Sequence, residues 1–446
     1  MTLLATYRSK ISFLLRALCF LCVLALLIAV LNALLVNDNT FSRLMMYEMY
    51  TLEEPIDTVV LGPSVAYASF VPEIWERTLS GNLFVLGSSN QSLIGSYYLL
   101  KEFLELYQPK RVVYALHWGV LQYAQTDAHF MRANYFVDDF RPSLNRLAFL
   151  WNAFPGEALT RACLPFIRSY ARYNQRVYEI KAGTAYRNYD PSAVNNASYQ
   201  YGGKGYLQSE TGFGAGEVGP IESYLETPQG NLPLQAESVM WLKHIRQLCE
   251  AHDTDLILMT TPMHNASMAT LGCQAEIQAM YREVAVQTGL PLLDFTCCRE
   301  AFLSLGDDCF KDPAHLNSKG AQLFSEAASV VYRTYLETGL VDSSIFYADY
   351  ADMMAHNADI FNAWLEITDG VATARCTHGG LGTPEYEFSY APLEEMPFEI
   401  VREYSQDNVL ELSSLPYSKG FLRVNVRPVG SDEAYQQRWT MEVPQE

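Results

Sequence analysis

The apolar residues of the chain follow three patterns, which divide it into three parts. From Ile11 to Val36 they form a nearly unbroken run whose only charge is Arg16. From about residue 57 to 340, short apolar runs alternate with segments of helical periodicity. Beyond residue 341, short strand-like runs are separated by turns rich in glycine, aspartate and asparagine. The pattern predicts an apolar helix, an α/β domain and a small all-β domain, in that order.

The N-terminal run is long enough to cross a bilayer as a helix, which takes about 20 apolar residues. Arg8, Lys10 and Arg16 precede its core and Asp38 follows it, so the positive-inside rule keeps the N-terminus in the cytoplasm. We therefore predict that residues 1–37 are a cytoplasmic N-terminus and transmembrane anchor. The protein would then be a single-pass type II protein of the cell membrane, with its other domains extracytoplasmic. A cleaved signal peptide is the alternative, although the run is long for one and lacks a clear small-x-small cleavage site.

Residues 57–340 have the pattern of a parallel sheet with helices on both faces. Strands buried on both faces lack polar alternation, and five such runs occur, at Thr58–Leu61, Leu83–Leu86, Arg111–Leu116, Leu256–Thr260 and Leu290–Leu293. Helical patterns lie between them and after the last one, at Pro72–Leu79, Ser92–Tyr107, Ala236–His252, Gln274–Thr288 and Ser318–Tyr335. This alternation predicts a three-layer, doubly wound α/β fold with a parallel five-stranded sheet. Ligands bind such sheets beyond the carboxyl ends of the strands.

Three further segments complete the predicted organisation. Residues 38–56 are expected to be a connector. Residues 123–235 form an insertion, helical in pattern to about Lys181 and poor in periodicity over Tyr186–Gly230; a segment of that length is either functional or a surface excursion. Residues 341–446 predict a small β-sandwich, whose role as glycan binder, spacer or dimer contact stays open.

Charge and cysteine content narrow the function classes. The net charge of −19 excludes nucleic-acid binding, which needs a basic face. Seven of the nine cysteines lie outside the apolar run, and none of these seven forms a Cys-x-x-Cys pair with zinc spacing, so we expect neither metal nor cofactor. Cys297 or Cys298 with Cys309 would close a short disulfide loop; buried thiols are an equal alternative.

Two distant motifs carry the candidate chemistry. Ser64 follows the first predicted strand through a Gly-Pro turn, and Asp312 lies three residues before His315, just ahead of the last helix of the α/β domain. With this spacing the carboxylate can orient the imidazole, which then acts as base toward a serine hydroxyl. Each motif has a plainer interpretation: the serine as a helix N-cap, and the histidine as part of a surface turn.

Taken together, the two motifs resemble those of the SGNH/GDSL hydrolase superfamily. The segment Asp312-Pro-Ala-His315-Leu-Asn-Ser-Lys-Gly320 is similar to that of the membrane-anchored branch with DltD-like and alginate O-acetylation-like proteins. The resemblance implies an SGNH/flavodoxin-like fold, with Ser64 as nucleophile, His315 as general base and Asp312 as its orienting partner.

The same resemblance implies an oxyanion hole built from the Ser64 amide, a glycine after the second strand and an asparagine after the third. Gly87 matches the glycine. The third strand instead ends in Leu116-His117-Trp118-Gly119, so either Asn90 is the substitute or the two backbone donors suffice. Because losing one donor costs about 10²–10³ in rate, this departure puts fast hydrolysis in question. His264, His117 and Trp118 are candidate substrate contacts on the same rim.

These features predict a membrane-anchored serine esterase or O-acyltransferase, and the resemblance implies that it acts on acetyl-type esters of a cell-envelope polysaccharide. The resemblance adds a membrane-bound O-acyltransferase as the expected partner. The alternative is a catalytically inactive SGNH-fold scaffold or glycan-binding protein in an envelope complex.

Overall fold

The computed structural model describes residues 2–35, 40–168, 173–181, 190–212, 233–265, 273–416 and 419–443. Its helices are α1 (Thr2–Leu35), α2 (Phe41–Thr51), α3 (Ser64–Ser69), α4 (Pro72–Leu79), α5 (Leu93–Leu104), α6 (Gly119–Gln122), α7 (Ala128–Ala133), α8 (Leu144–Ala153), α9 (Glu157–Cys163), α10 (Pro165–Arg168), α11 (Tyr173–Lys181), α12 (Ala236–Glu250), α13 (Gln274–Thr288), α14 (Ser318–Thr338) and α15 (Tyr350–Ala355). Its strands are β1 (Thr58–Gly62), β2 (Leu83–Gly87), β3 (Arg111–Leu116), β4 (Gln200–Gly203), β5 (Tyr206–Gln208), β6 (Asp255–Thr260), β7 (Leu292–Asp294), β8 (Phe310–Asp312), β9 (His315–Leu316), β10 (Ile360–Thr368), β11 (Val371–His378), β12 (Pro384–Ala391), β13 (Glu399–Ser405), β14 (Val409–Glu411), β15 (Phe421–Pro428) and β16 (Gln437–Glu442).

The central sheet has five parallel strands in the order β2-β1-β3-β6-β7. Alternate side chains of a strand enter opposite faces: Val59 and Leu61 join a core shared with α5, α12 and α13, whereas Val60 joins one shared with α3, α4 and α14. The prediction of an α/β fold with a parallel five-stranded sheet is confirmed, and all five strands lie where the apolar runs placed them. β7 begins at Leu292, two residues later than predicted.

The insertion combines helices with one hairpin. Its first half contains α7 to α11, as its pattern predicted. The low-periodicity half falls largely outside the described residues, but its described part, residues 190–212, includes the hairpin β4–β5. This hairpin packs on the edge strand β2, where the Val85 N–H donates to the Lys204 carbonyl at 2.9 Å.

The segment expected to be a connector is partly helical. Within it, α2 buries Leu44, Met45, Met46 and Met49, and the three methionines belong to the core of the α/β domain. Its N-cap, Thr40, accepts a hydrogen bond from the Arg43 N–H. The apolar side chains at i, i+1, i+2 and i+5 lie on the face that packs against the domain, which is why the segment folds onto it instead of acting as a linker.

The C-terminal region consists of antiparallel strands, as predicted. One sheet has the order β10-β11-β14 and the other β13-β12-β15-β16, and both contribute to one apolar core that includes Leu365, Phe388 and Val424. Strands β12 and β16 were not predicted, because the strand-like runs of the sequence are confined to Trp364–Ile367, Ala372–Thr377, Phe398–Arg402, Val409–Leu412 and Phe421–Arg427. The sequences of β12 and β16 mix charged and apolar residues, and the charges are satisfied across the sheet: Arg427 on β15 donates to Glu385 on β12 at 2.6 Å.

The N-terminal apolar run is a single helix. Within the described residues, Lys10–Leu35 is the one helix long and apolar enough to cross a membrane, and it packs inside no core. Its last turns touch the insertion, because Asn32 Oδ1 accepts from the Phe166 N–H at 3.2 Å and the Leu34 carbonyl accepts from Arg176 Nε at 2.9 Å. A membrane anchor and a signal sequence both satisfy this description.

All nine cysteines lie in described segments, and all nine are free thiols. The short disulfide loop considered from Cys297 or Cys298 to Cys309 is therefore not formed. Cys297 and Cys309 are buried, where burial raises the pKa of each thiol. They behave as small apolar residues of the core.

Candidate active site

The candidate nucleophile lies at the carboxyl end of β1, an interior strand of the sheet. Strand β1 is buried along its whole length and ends at Gly62, whose φ of +155° brings it against β3: a Cβ there would lie 2.7 Å from the Ala115 carbonyl oxygen. Pro63 follows, and Ser64 is the first residue of α3. Ser325 Oγ on α14 donates to the Ser69 carbonyl at 3.0 Å, which fixes the other end of this short helix.

The candidate base and its partner lie in a tight two-stranded turn. Strands β8 and β9 pair antiparallel, with Asp312 opposite His315. The Ala314 and His315 N–H groups both donate to Asp312 Oδ1 at 3.0 Å. Immediately after the turn, Asn317 caps α14 by accepting from the Gly320 N–H at 3.1 Å. The turn is therefore held both by its own carboxylate and by the helix that follows.

Ser64, His315 and Asp312 meet as one hydrogen-bonded row. His315 Nε2 lies 2.7 Å from Ser64 Oγ, and His315 Nδ1 lies 2.8 and 3.0 Å from the two oxygens of Asp312. With the proton on Nδ1 facing the carboxylate, Nε2 accepts from the serine hydroxyl. The side chains of His315 and Asp312 are 24% and 20% exposed, so the row lies at the surface where a substrate can reach it.

The carboxyl of Asp312 is held in its charged form. Burial alone would favour the neutral acid, but the hydrogen bond and the charge of His315, the Ala314 N–H and the charge of Lys311 together lower its pKa below the ordinary value. An ionised Asp312 stabilises the imidazolium that forms when His315 takes a proton.

The residues predicted for the oxyanion hole lie at different distances from the serine helix. Gly87 pairs with Gly62 at the ends of β2 and β1, and a Cβ on it would lie 3.1 Å from Ala66 Cβ and 3.2 Å from the Tyr67 nitrogen. It therefore lies directly against α3. Asn90 is an exposed residue in the left-handed conformation, with φ of +49°. It occupies the turn before α5.

His117 lies beside the triad. Strand β3 pairs with β1, and the last pair is Leu61 with Tyr114; Ser64 and His117 each follow three residues later, on the same rim of the sheet. Its Nδ1 accepts from the Gly119 N–H at 3.1 Å. Burial, together with the nearby His315, lowers the pKa of His117 to about 4.

Trp118 and His264 are less accessible than expected for substrate contacts. Trp118 is 5% exposed and belongs to the core, so it offers no open face to a sugar. His264 is 2% exposed; its Nε2 bonds to Asp307 at 2.8 Å and its N–H donates to the Pro313 carbonyl at 3.3 Å. His264 thus supports the Asp312–His315 turn from behind.

The structure also brings to the site residues that the sequence did not single out. The Tyr67 and Ser89 hydroxyls bond at 3.1 Å, and Tyr67 lies in the same short helix as Ser64. Ser209, from the insertion, accepts through its carbonyl from the Ser318 N–H at 2.8 Å, at the start of α14. No motif marks either pair, since each joins segments that only the fold brings together.

A cleft of about 600 Å³ lies between the α/β domain and the C-terminal strands. Asp307 and Phe310 line one wall and Tyr435 and Gln437 the other. Neither Ser64 nor His315 is among the described residues that line it.

No protein-family model and no curated protein matches the chain. Among solved structures it is similar to an inferred acylhydrolase of Bacteroides fragilis NCTC 9343, at 12% identity and TM-score 0.29 over 65% of this chain and 94% of that one. It is also similar to a GDSL-like lipase of Bacteroides thetaiotaomicron VPI-5482, at 11% identity and TM-score 0.30 over 68% of this chain and 100% of that one. Likenesses this weak carry no argument about function, which rests on the site geometry.

Proposed function

We propose that the protein is a serine esterase or O-acyltransferase of the SGNH type. The observation that carries this proposal is the row Ser64–His315–Asp312, with 2.7 Å from Ser64 Oγ to His315 Nε2 and 2.8 Å from His315 Nδ1 to Asp312. These three groups come from segments 251 residues apart. Their convergence in hydrogen-bonding order, at the carboxyl edge of the sheet, is what a nucleophilic serine requires.

The geometry supports acyl transfer in two steps. In the first, the Ser64 Oγ–H proton passes to His315 Nε2 while Oγ bonds to the acyl carbon; the bond from that carbon to the leaving oxygen breaks, and His315 returns the proton to that oxygen. In the second, His315 takes a proton from water or from an acceptor hydroxyl, which attacks the acyl carbon. The Ser64–acyl bond then breaks, and Ser64 Oγ recovers the proton from His315.

The proposed substrate is an acetyl-type ester on a cell-envelope polysaccharide, and the proposed location is the outer face of the membrane. The location is supported by α1 and by an apolar stripe on α8 in the neighbouring insertion, whereas the substrate is the one that the sequence resemblance implies. Leu144, Leu147 and Trp151 lie on one helical face and are 84%, 62% and 74% exposed. The insertion also touches the end of α1 through Phe166. An anchored enzyme would receive acyl groups from a membrane-bound O-acyltransferase or remove them from polymer nearby.

The test uses the full-length protein in detergent, with p-nitrophenyl acetate, a fluorophosphonate probe and an O-acetylated polysaccharide. Wild type should label, release p-nitrophenol and release acetate from the polymer, while Ser64→Ala should do none of these. Ser343→Ala, which changes an exposed serine beyond α14, is the matched control and should behave as wild type. If folded wild-type protein neither labels nor turns over, the esterase proposal fails and the inactive scaffold or glycan-binding alternative takes its place.

A further inference from the structure

Three features of His117 bear on how the site handles developing negative charge. The first is position. Ser64 and His117 follow adjacent parallel strands, and each lies three residues beyond the last β1–β3 pair, Leu61 with Tyr114. The carboxyl ends of β1 and β3 thus place Ser64 and His117 on the same rim of the sheet, and His315, which bonds to Ser64, acts electrostatically on His117.

The second feature is the tautomer. His117 Nδ1 accepts from the Gly119 N–H at 3.1 Å. A ring nitrogen that accepts a backbone hydrogen bond carries no proton, so in the neutral ring the proton is on Nε2. Among the described residues, Nε2 has no protein partner, and the side chain is only partly buried. Nε2–H is therefore a donor that no described residue uses.

The third feature is charge. Burial disfavours the protonated form of the His117 ring and lowers its pKa, and the nearby His315 acts in the same direction. The ring stays neutral at physiological pH as a result. A neutral imidazole donates a hydrogen bond without competing with His315 for the serine proton or forming an ion pair with Asp312.

We propose that His117 is a catalytic residue that donates its Nε2–H to the oxyanion of the tetrahedral intermediate. It would act with the Ser64 and Gly87 amides and take the place for which the sequence offered Asn90. This inference rests on the proposed esterase function and deepens it. Preorganised donors of this kind act where charge develops in the transition state.

The kinetic test compares three variants of the full-length protein in detergent, with p-nitrophenyl acetate as substrate. His117→Ala should lower kcat/KM about 10²–10³-fold, as for loss of one oxyanion donor. His117→Asn restores an N–H donor and should stay within about tenfold of wild type. His252→Ala changes an exposed histidine just before β6, at the amino ends of the strands and so away from the site. It should leave kcat/KM unchanged. Near-wild-type turnover of folded His117→Ala, or equal losses in the Ala and Asn variants, would overturn the assignment.

A second measurement does not depend on turnover and so separates this inference from the esterase proposal. The ¹⁵N NMR spectrum of full-length protein labelled with ¹⁵N-histidine reports the protonation of each ring nitrogen. The His117→Asn variant, labelled in the same way, lacks the His117 signals and so assigns them. We expect a protonated Nε2 and an unprotonated Nδ1 from pH 8 down to about pH 5. A proton on Nδ1, or titration near the ordinary histidine pKa, would overturn the role of His117 even in an active enzyme. Wild type with this tautomer but no activity would contradict the esterase proposal instead.

Discussion

Asp312 binds His315 twice through the same oxygen: Oδ1 accepts from the His315 backbone N–H at 3.0 Å and lies 2.8 Å from the ring Nδ1. One carboxylate therefore fixes both the turn between β8 and β9 and the orientation of the imidazole. The shape of the turn and the chemistry of the base depend on each other.

Asp312→Asn should separate these two roles. The amide oxygen can still accept from the backbone N–H groups, so the turn should persist, but the amide no longer holds a negative charge or enforces the proton on Nδ1. We expect kcat to fall by roughly 10³–10⁴ with little change in melting temperature. Asp308→Asn, which removes an exposed carboxylate from the same loop, should change neither. A fall of less than tenfold for Asp312→Asn would show that His315 does not need an ionised partner.

Gly320→Ala should disturb the site through packing. Gly320 is in the first turn of α14, and a Cβ there would overlap the carbonyl oxygen of Cys309 and lie 3.0 Å from Leu316 Cδ2. Because the overlapped atom is backbone, the helix and the β8–β9 turn must move apart. We expect a loss of about 1–3 kcal/mol in stability and a lower kcat, measured by thermal unfolding and p-nitrophenyl acetate turnover. Gly212→Ala, which meets nothing within 4 Å in the described structure, should be neutral in both; the idea is contradicted if the two variants behave alike.

Gly205→Ala should detach the hairpin β4–β5 from β2. Gly205 has φ of +78°, and a Cβ on it would overlap the Val85 carbonyl oxygen. Gly203 is also at positive φ, +88°, but the nearest atom to its Cβ would be 3.9 Å away, so Gly203→Ala reports the backbone strain alone. The Val85 and Ser318 amides, which bond to Lys204 and Ser209, should lose hydrogen-exchange protection in Gly205→Ala only. Equal protection in both variants would mean that the hairpin is not held by this contact.

The residues that the sequence could predict are those whose signal is local. The five buried strands have continuous apolar runs. Ser64 can be recognised because it follows the first of these runs, and Asp312 and His315 because they are three residues apart just before a helix. Non-local relations were missed. Strand β12 was overlooked because Glu385 looks like a loop residue until Arg427 pairs with it.

The role of His117 shows the same limit. Its position beside Ser64 depends on which strands are neighbours, and its tautomer depends on the Gly119 N–H. Neither the position of His117 nor its tautomer can be deduced from the local sequence Leu116-His117-Trp118-Gly119. His264 and Trp118 followed strands as expected, but whether a rim residue is open or buried depends on what packs over it, which a single strand pattern does not contain.

The stripe on α8 predicts contact with lipid. If α1 is an anchor, Trp151 should lie at the membrane interface, as tryptophans commonly do. In the full-length protein reconstituted with brominated phosphatidylcholine, Trp151 emission should be quenched, so wild type should lose more fluorescence than Trp151→Phe. Trp364→Phe, in the C-terminal strand β10, should show the same quenching as wild type. Equal quenching of wild type and Trp151→Phe would place α8 away from the bilayer.

The lowered pKa of His117 predicts that the folded protein loses stability as the pH falls below neutrality. The unfolded chain takes up a proton near pH 6.5, whereas native His117, facing His315, does so only near pH 4. Between these values the unfolded state binds more protons, so wild type should lose stability as the pH falls. His117→Asn has no such group, and wild type should therefore lose on the order of 2–3 kcal/mol relative to it between pH 7 and pH 4. Asp312 contributes to stability at lower pH than His117. The lowered pKa of Asp312 in the folded protein adds stability that is present above about pH 4, and this stability is lost as the pH falls through that lowered pKa. Denaturant unfolding of both proteins across this range measures the difference, and parallel stability profiles would show that His117 titrates normally in the folded protein.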